Sequence, residues 1–313
     1  MRPSRRRFLA VFATAATAAL TGSAQPGRIT QQRFRALGTE AQITLLGRPK
    51  QAEAALQACR SEVANIEDTF SLYDPDSILS KLNRDGSVTA TSRFATLLRH
   101  TLSIADATGG AFDPTVQPLW RALATGGNIE QARHLVGWRS LQLTSATARF
   151  TVPNMAATFN GIAQGYAADR VSATLAQHGF SNTLVDLGEF AARGAKPGAP
   201  WLLGIRNPLT QRIVTRINPV AGAIATSEPR GTLLGEHPHI FDPLERAGDR
   251  WISVTVEAHE AWRADALSTA IAASPTHEAD SLLVAGGATR GWLIKAPDTL
   301  YEWQAEDSQN RRA

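Results

Sequence analysis

Two small-residue segments far apart in the chain constrain it most: Asn160-Gly161-Ile162-Ala163-Gln164-Gly165-Tyr166 and Ala264-Asp265-Ala266-Leu267-Ser268-Thr269. In the first, two glycines bracket a short turn and helical periodicity follows at Val171 and Leu175. Such a loop lets backbone approach a phosphate at a helix start. In the second, Asp265 and Thr269 stand four residues apart, so on a helix both oxygens face one side and can hold one hard cation. The alternative is a solvent-facing pair. The small apolar neighbours Ala264, Leu267 and Ala270 to Ala273 favour the metal reading, because an unpaired buried carboxylate is costly.

The chain has 313 residues and 43% hydrophobic content, enough to bury a sizeable core. Its start, Ser4-Arg5-Arg6-Arg7-Phe8-Leu9 followed by an Ala/Thr/Leu run to Gly22, has the layout of a twin-arginine export signal, with residues 1–24 removed and 25–313 forming the working domain. A membrane anchor is the competing reading. The run is short for that and ends at Gly22-Ser23-Ala24, a small-residue cleavage site. Loss of Arg2, Arg5, Arg6 and Arg7 takes the net charge from +4 to zero. No basic stripe interleaved with aromatics remains, so nucleic-acid binding is set aside. Cys59 is the single cysteine and lies in the seam Leu56, Cys59, Val63, Ile66, Phe70. Those spacings of three and four mark a helix core face, and the thiol reads as buried and inert.

The order of elements predicts an α+β fold with mixed or antiparallel sheets packed by helices. Arg33 to Leu46 reads as one strand with a Gly38-Thr39 interruption, followed by a long helix through Phe70 and another over Arg93 to Thr108. Short strands are expected at Leu141 to Leu143 and Arg149 to Val152, then a helix after Gly161. Further strands are expected at Thr183 to Leu187, Leu202 to Ile205, Arg212 to Ile217, Ile252 to Glu257 and Gly291 to Ile294. Helices should start near Trp262 and His277. The polar end, Glu306 to Ala313, is expected to fray.

Five segments in fixed order resemble the ApbE family of FAD:protein FMN transferases. They are Leu37-Gly38-Thr39; Phe70 to Ser77 with Leu82-Asn83; Gly109-Gly110-Ala111-Phe112-Asp113-Pro114-Thr115; Asn160 to Asp169; and His239-Ile240-Phe241-Asp242-Pro243 with Asp265 and Thr269. The resemblance implies cleavage of FAD at its pyrophosphate, passage of FMN to a Ser or Thr hydroxyl of an acceptor flavoprotein, and release of AMP. By similarity, Asp265 and Thr269 would hold Mg²⁺ with a backbone carbonyl of the Gly161 loop. Leu37, Tyr73, Ala111, Phe112, Asp113, Thr158, Gln164 and Ile240 would lie along FAD. His239 and Asp242 would serve catalysis on the pyrophosphate side, with the general base unassigned between them. Each has a plain structural reading beside this one: Tyr73 as a cap on the preceding helix, Phe112 as core filler, Asp113-Pro114-Thr115 and Asp242-Pro243 as turns.

The chain departs from the commoner pattern at several places. Thr158 stands for Asp, Asn160 for Gly, Gln164 for Lys and Leu37 for Met. Asp186-Leu187-Gly188-Glu189 is altered, and Glu228-Pro229 replaces a customary glycine after Ser227. The loop resembles the branch associated with nitrous-oxide reductase maturation, whose acceptor is a membrane-bound electron-transfer protein, and with the leader this implies a periplasmic enzyme. Because the acid and the cation are missing, a periplasmic FAD-binding or delivery protein without catalysis is the alternative, and FAD hydrolysis a third. N-terminal sequencing of exported protein should begin at Gln25; a start well before or inside that point would overturn the leader.

Overall fold

Apolar Ala41, Ile43 and Leu45 alternate with polar Gln42 and Thr44, the period-two pattern of a strand whose two faces meet different surroundings. A computed structural model describes residues 9–11, 28–47, 49–220 and 222–305. In it an eight-stranded sheet is built from β1 (Arg28–Ala36), β2 (Thr39–Gly47), β3 (Thr183–Asp186), β4 (Phe190–Arg193), β5 (Ala223–Ser227), β6 (Ser253–Ala258), β7 (Arg290–Lys295) and β8 (Thr299–Gln304). Neighbours in the sheet follow chain order and every ladder is antiparallel. The α+β expectation holds.

The helices enter as insertions between strands. Between β2 and β3 lie α1 (Pro49–Phe70), α2 (Ile78–Asp85), α3 (Ser92–Ala107), α4 (Gln117–Thr125), α5 (Ile129–Arg133) and α6 (Ala163–Gln177); between β6 and β7 lie α7 (Ala261–Ala273) and α8 (Ala279–Gly286). One sheet face carries Ile43, Val185, Ala225, Val256 and Leu293 into the main core with the helices. The other carries Leu184, Ile224, Trp292 and Ile294 into a second cluster with Trp201, Leu203, Ile205 and Ile217, from the strands Leu203–Arg206 and Ile213–Ile217. The central strands of the sheet are therefore buried on both faces. The expected α1 seam is buried throughout, and burial pushes the Cys59 thiol up to about 12, as expected of an inert core thiol.

Where one strand was expected over Arg33 to Leu46, the chain makes a hairpin. Leu37 and Gly38 form its two-residue turn, at φ 50° and 76°, the left-handed pair that matches the twist of flanking strands. A non-glycine residue at positive φ stores strain, and the Leu37 amide is fixed by donating to Glu67 Oε1 of α1 at 2.7 Å. The short strands β4 and β5 were not legible as periodic runs. The strands at 141–143 and Thr147–Phe150 form a small sheet with Ser87–Thr89. The leader and the C-terminal tail lie outside the described residues except for Leu9–Val11, whose backbone pairs with Leu203–Ile205. No described helix is long and apolar enough to cross a membrane.

Glu62 ties three helices together. It accepts from both terminal nitrogens of Arg93 (2.6 and 2.9 Å) on α3 and from Arg170 Nε (2.8 Å) on α6. The Arg93 hydrogen bonds hold its carboxyl down to about 2, against an ordinary 4.5. Its contribution is thus complete above pH 4.5 and fades as pH falls toward 2. Glu62→Gln should lose about 1–2 kcal/mol at pH 7 by urea denaturation, a figure discounted for the solvent around Arg170. The gap to wild type should close in acid. An equal gap at pH 7 and pH 2 would contradict this account.

Candidate active site

The site begins where α6 and α7 cross in close antiparallel contact. A Cβ added to Gly165 would fall 2.2 Å from the Ala261 carbonyl oxygen and 2.8 Å from Asp265 Cβ. Only a glycine permits that approach of helix to helix. One turn earlier, a Cβ on Gly161 would stand 3.0 Å from Thr269 Oγ1 and 3.2 Å from Phe112. Gly161 and Gly165 on one side thus face Thr269 and Asp265 on the other, and the two oxygens do share one face of α7. The seam is closed by three hydrogen bonds, with a carboxylate of each helix accepting from the other. Gly165 N donates to Asp265 Oδ2 at 2.9 Å; Asp169 Oδ1 and Oδ2 accept from Ala261 N and Trp262 N at 2.9 and 3.0 Å. Asp169 therefore caps the start of α7 from a neighbouring helix. Burial pushes its carboxyl up to about 6, with those amide bonds pulling the other way. Gly165 was expected to open the backbone to a phosphate. Instead it sits inside the first turn of α6, and its amide serves Asp265.

The loop before α6 is pinned from three sides. The Asn83 side chain pairs with both backbone groups of Ala157, at 2.9 and 2.7 Å. Thr158 N donates to the Pro114 carbonyl, and Thr158 Oγ1 accepts from Asn160 N. Phe159 packs edge-on to Phe70 and Phe94, with ring centroids 5.5 and 5.7 Å apart. Beneath it Ala111 and Phe112 are core residues. Asp113 accepts from Thr115 N, Thr115 Oγ1 and Trp138 N, the turn-and-cap geometry of the plainer reading.

A second loop, from β5 to β6, carries His239. Ser227, the last residue of β5, lies 2.8 Å from Ser268 Oγ and 3.3 Å from Thr269 Oγ1. Two residues on, the Pro229 carbonyl lies 2.9 Å from His239 Nδ1, and the Thr232 carbonyl lies 3.1 Å from it. A lone pair facing two carbonyl oxygens would be repelled. Nδ1 therefore carries the proton despite a long 3.4 Å contact with Thr232 N, and the ring's lone pair is on Nε2. Ile240 packs on the main core. Asp242 accepts from Leu244 N, Arg246 N and the Arg246 guanidinium, which also reaches Ser274 Oγ at the end of α7 and Glu278. That carboxylate is a strut between the loop and α7.

Over residues 37–289 the sequence matches the family model described as ApbE family. The chain belongs to the ApbE family. Among its relatives, the FAD:protein FMN transferase of Vibrio cholerae is 26% identical, over 83% of this chain and 86% of that protein, and the Salmonella typhimurium protein of the same name is 25% identical over 87% and 86%. The crystal structure of the ApbE protein of Thermotoga maritima superposes with a TM-score of 0.78 at 25% identity, covering 90% of this chain and 99% of that one.

Within this ApbE chain the sequence-named residues fall into groups. Gly161, Phe112 and Thr269 meet directly, Asp265 lies one turn away on α7 against Gly165, and His239 with Ile240 joins them through Pro229 and Ser227. Leu37, in the β1–β2 turn, is tied by its amide to Glu67 near the end of α1, and Tyr73 follows that helix. Tyr73 is 90% exposed, so it does not cap α1 against the core. Gln164 turns away: buried, it donates to the Leu187 carbonyl at 3.3 Å and packs on Gly188. Ser227, Asp169 and Arg246 carried no assignment from sequence. Only their hydrogen bonds in the folded chain reveal them. Gly165→Ala should drive α6 from α7, costing about 1–3 kcal/mol by overpacking, and should remove flavin transfer more completely than it removes fold; retained transfer at wild-type stability would refute the seam.

Proposed function

We propose that this ApbE-family chain transfers the FMN portion of FAD to a protein hydroxyl, the activity borne in the names of its relatives. The observation that carries the reading is buried Asp265 and half-buried Thr269, one turn apart on α7 and set against Gly165 and Gly161 of the α6 start. The donors there are a carboxylate, a hydroxyl and a main-chain carbonyl, all hard oxygen. Among the described residues no three His, Cys, Asp or Glu side chains gather as a metal cage. A cation that keeps water and substrate phosphate oxygens in its shell suits this set, which fits Mg²⁺. When bound, Mg²⁺ would offset charge on the pyrophosphate oxygens.

The chain's own residues supply position and proton transfer. His239, held through Nδ1–H by two carbonyls, presents Nε2 to accept the proton of a Ser or Thr hydroxyl. The hydroxyl oxygen then bonds to the FMN phosphorus, the pyrophosphate P–O bond breaks, and AMP leaves. Asp242 holds the His239 loop and takes no proton. Tyr73, Leu37, Thr158 and Ile240 line the flavin side. The leader supports export by the twin-arginine pathway and a periplasmic acceptor of electron-transfer type, in keeping with the nitrous-oxide reductase branch. The test is acceptor mass after incubation with FAD and Mg²⁺. A gain equal to an FMN phosphoester, abolished by chelator, is expected. Asp265→Ala should lose it with the fold retained, and His239→Ala should slow it about 10²–10⁴-fold. FAD binding without any mass gain across several acceptors would favour the delivery protein instead.

A further inference from the structure

Glu228 occupies an unusual place. Along β5, Ala223 and Ala225 face the helices while Ile224 faces the covering strands. Ser227 continues the first series, touching Ser268 and Thr269. Glu228 continues the second and is 5% exposed. The charged group acting on it from the covering sheet is Arg206. On the sheet side, register puts Ser253 opposite it, one step past the Ser227–Val254 pair, and Glu189, the residue before β4, accepts from Thr226 N two residues earlier on β5. Among the described residues Glu228 Oε1, Arg206 Nε and Ser253 Oγ have no hydrogen-bond partner.

We infer that Glu228 is a positioning residue for the transfer site: its carboxyl, packed between the two sheets, fixes the strand exit from which Ser227 reaches Thr269 and the Pro229 carbonyl reaches His239. Nothing in the proposed chemistry touches Glu228 itself; it acts through its two chain neighbours, each bonded to a residue of the site. Burial pushes its carboxyl up to about 8, with Arg206 pulling the other way. At neutral pH the acid is largely uncharged and stays buried beside Ser253 and Arg206. Ionised, it would be a buried charge with an unsatisfied oxygen and would draw the strand exit toward water. Since the unfolded acid ionises near 4.5, the stability contributed by this site falls as pH rises from there through about 8.

The inference rests on the transferase reading, and its test separates the two. Glu228→Gln keeps the shape of the neutral acid and removes its titration. From pH 7 to pH 9 the wild-type transfer rate should fall about tenfold as the protonated fraction drops, and that of Glu228→Gln by less than about threefold. His239 imidazole resonances read the same coupling without turnover. In wild type they should show an added inflection near pH 8, absent in the variant. Matching rate ratios in the two proteins, with no such inflection, would overturn the inference. If wild type transfers no FMN at any pH, the transferase reading fails and the His239 inflection alone decides the coupling. If Glu228→Gln does not fold, the wild-type inflection decides it.

Discussion

The close crossing of α6 and α7 is the constraint on which the rest of the site depends. Two helices with ordinary side chains keep their axes about 8–10 Å apart. Here Gly165 lets the α6 backbone meet the Ala261 carbonyl, and that proximity makes the Asp265–Gly165 and Asp169–Ala261/Trp262 bonds possible. Each helix start is thus satisfied by a carboxylate of the other helix. A negative group near a helix N-terminus is favourable in itself, so the bonds that fix the seam also hold Asp265 one helical turn from where Gly161 and Thr269 meet.

Around this seam, buried and half-buried polar groups fix geometry. Asn83 fastens the Gly161 loop, Asp242 and Arg246 fasten the His239 loop to the end of α7, and Glu62 gathers α1, α3 and α6. In each case a charged or amide side chain spans elements distant in sequence, and leaving its partner unsatisfied costs more than the bond itself contributes. This makes positions strict. A flavin-transfer site benefits from such strictness, because small displacements of reacting groups are costly in rate.

Much of this was legible in the chain. The α1 seam from Leu56 to Phe70, the inert Cys59 and the helix with Asp265 and Thr269 on one face all follow from spacing, since 3.6-residue periodicity fixes which side chains share a face. Other elements were not legible. The strands at Phe190–Arg193 and Ala223–Ser227 are too short and too evenly buried to show alternation. Leu37, a leucine at positive φ, hid a hairpin turn inside what reads as one strand. Gln164 looked like a ligand contact by its place in the loop, yet folding turns it toward Leu187 and Gly188.

Sequence by itself determined the α+β class, the family, and the residues proposed for the site, because periodicity and motif order are properties of the chain. Tertiary structure alone decided their duties. Whether Gly165 meets a phosphate or a helix, whether Asp242 moves a proton or holds Arg246, and which nitrogen of His239 bears its lone pair all depend on partners brought from elsewhere in the chain. A carboxylate or an imidazole has the same intrinsic chemistry at every position; the hydrogen bonds and burial that select one use of it exist only after the fold has closed.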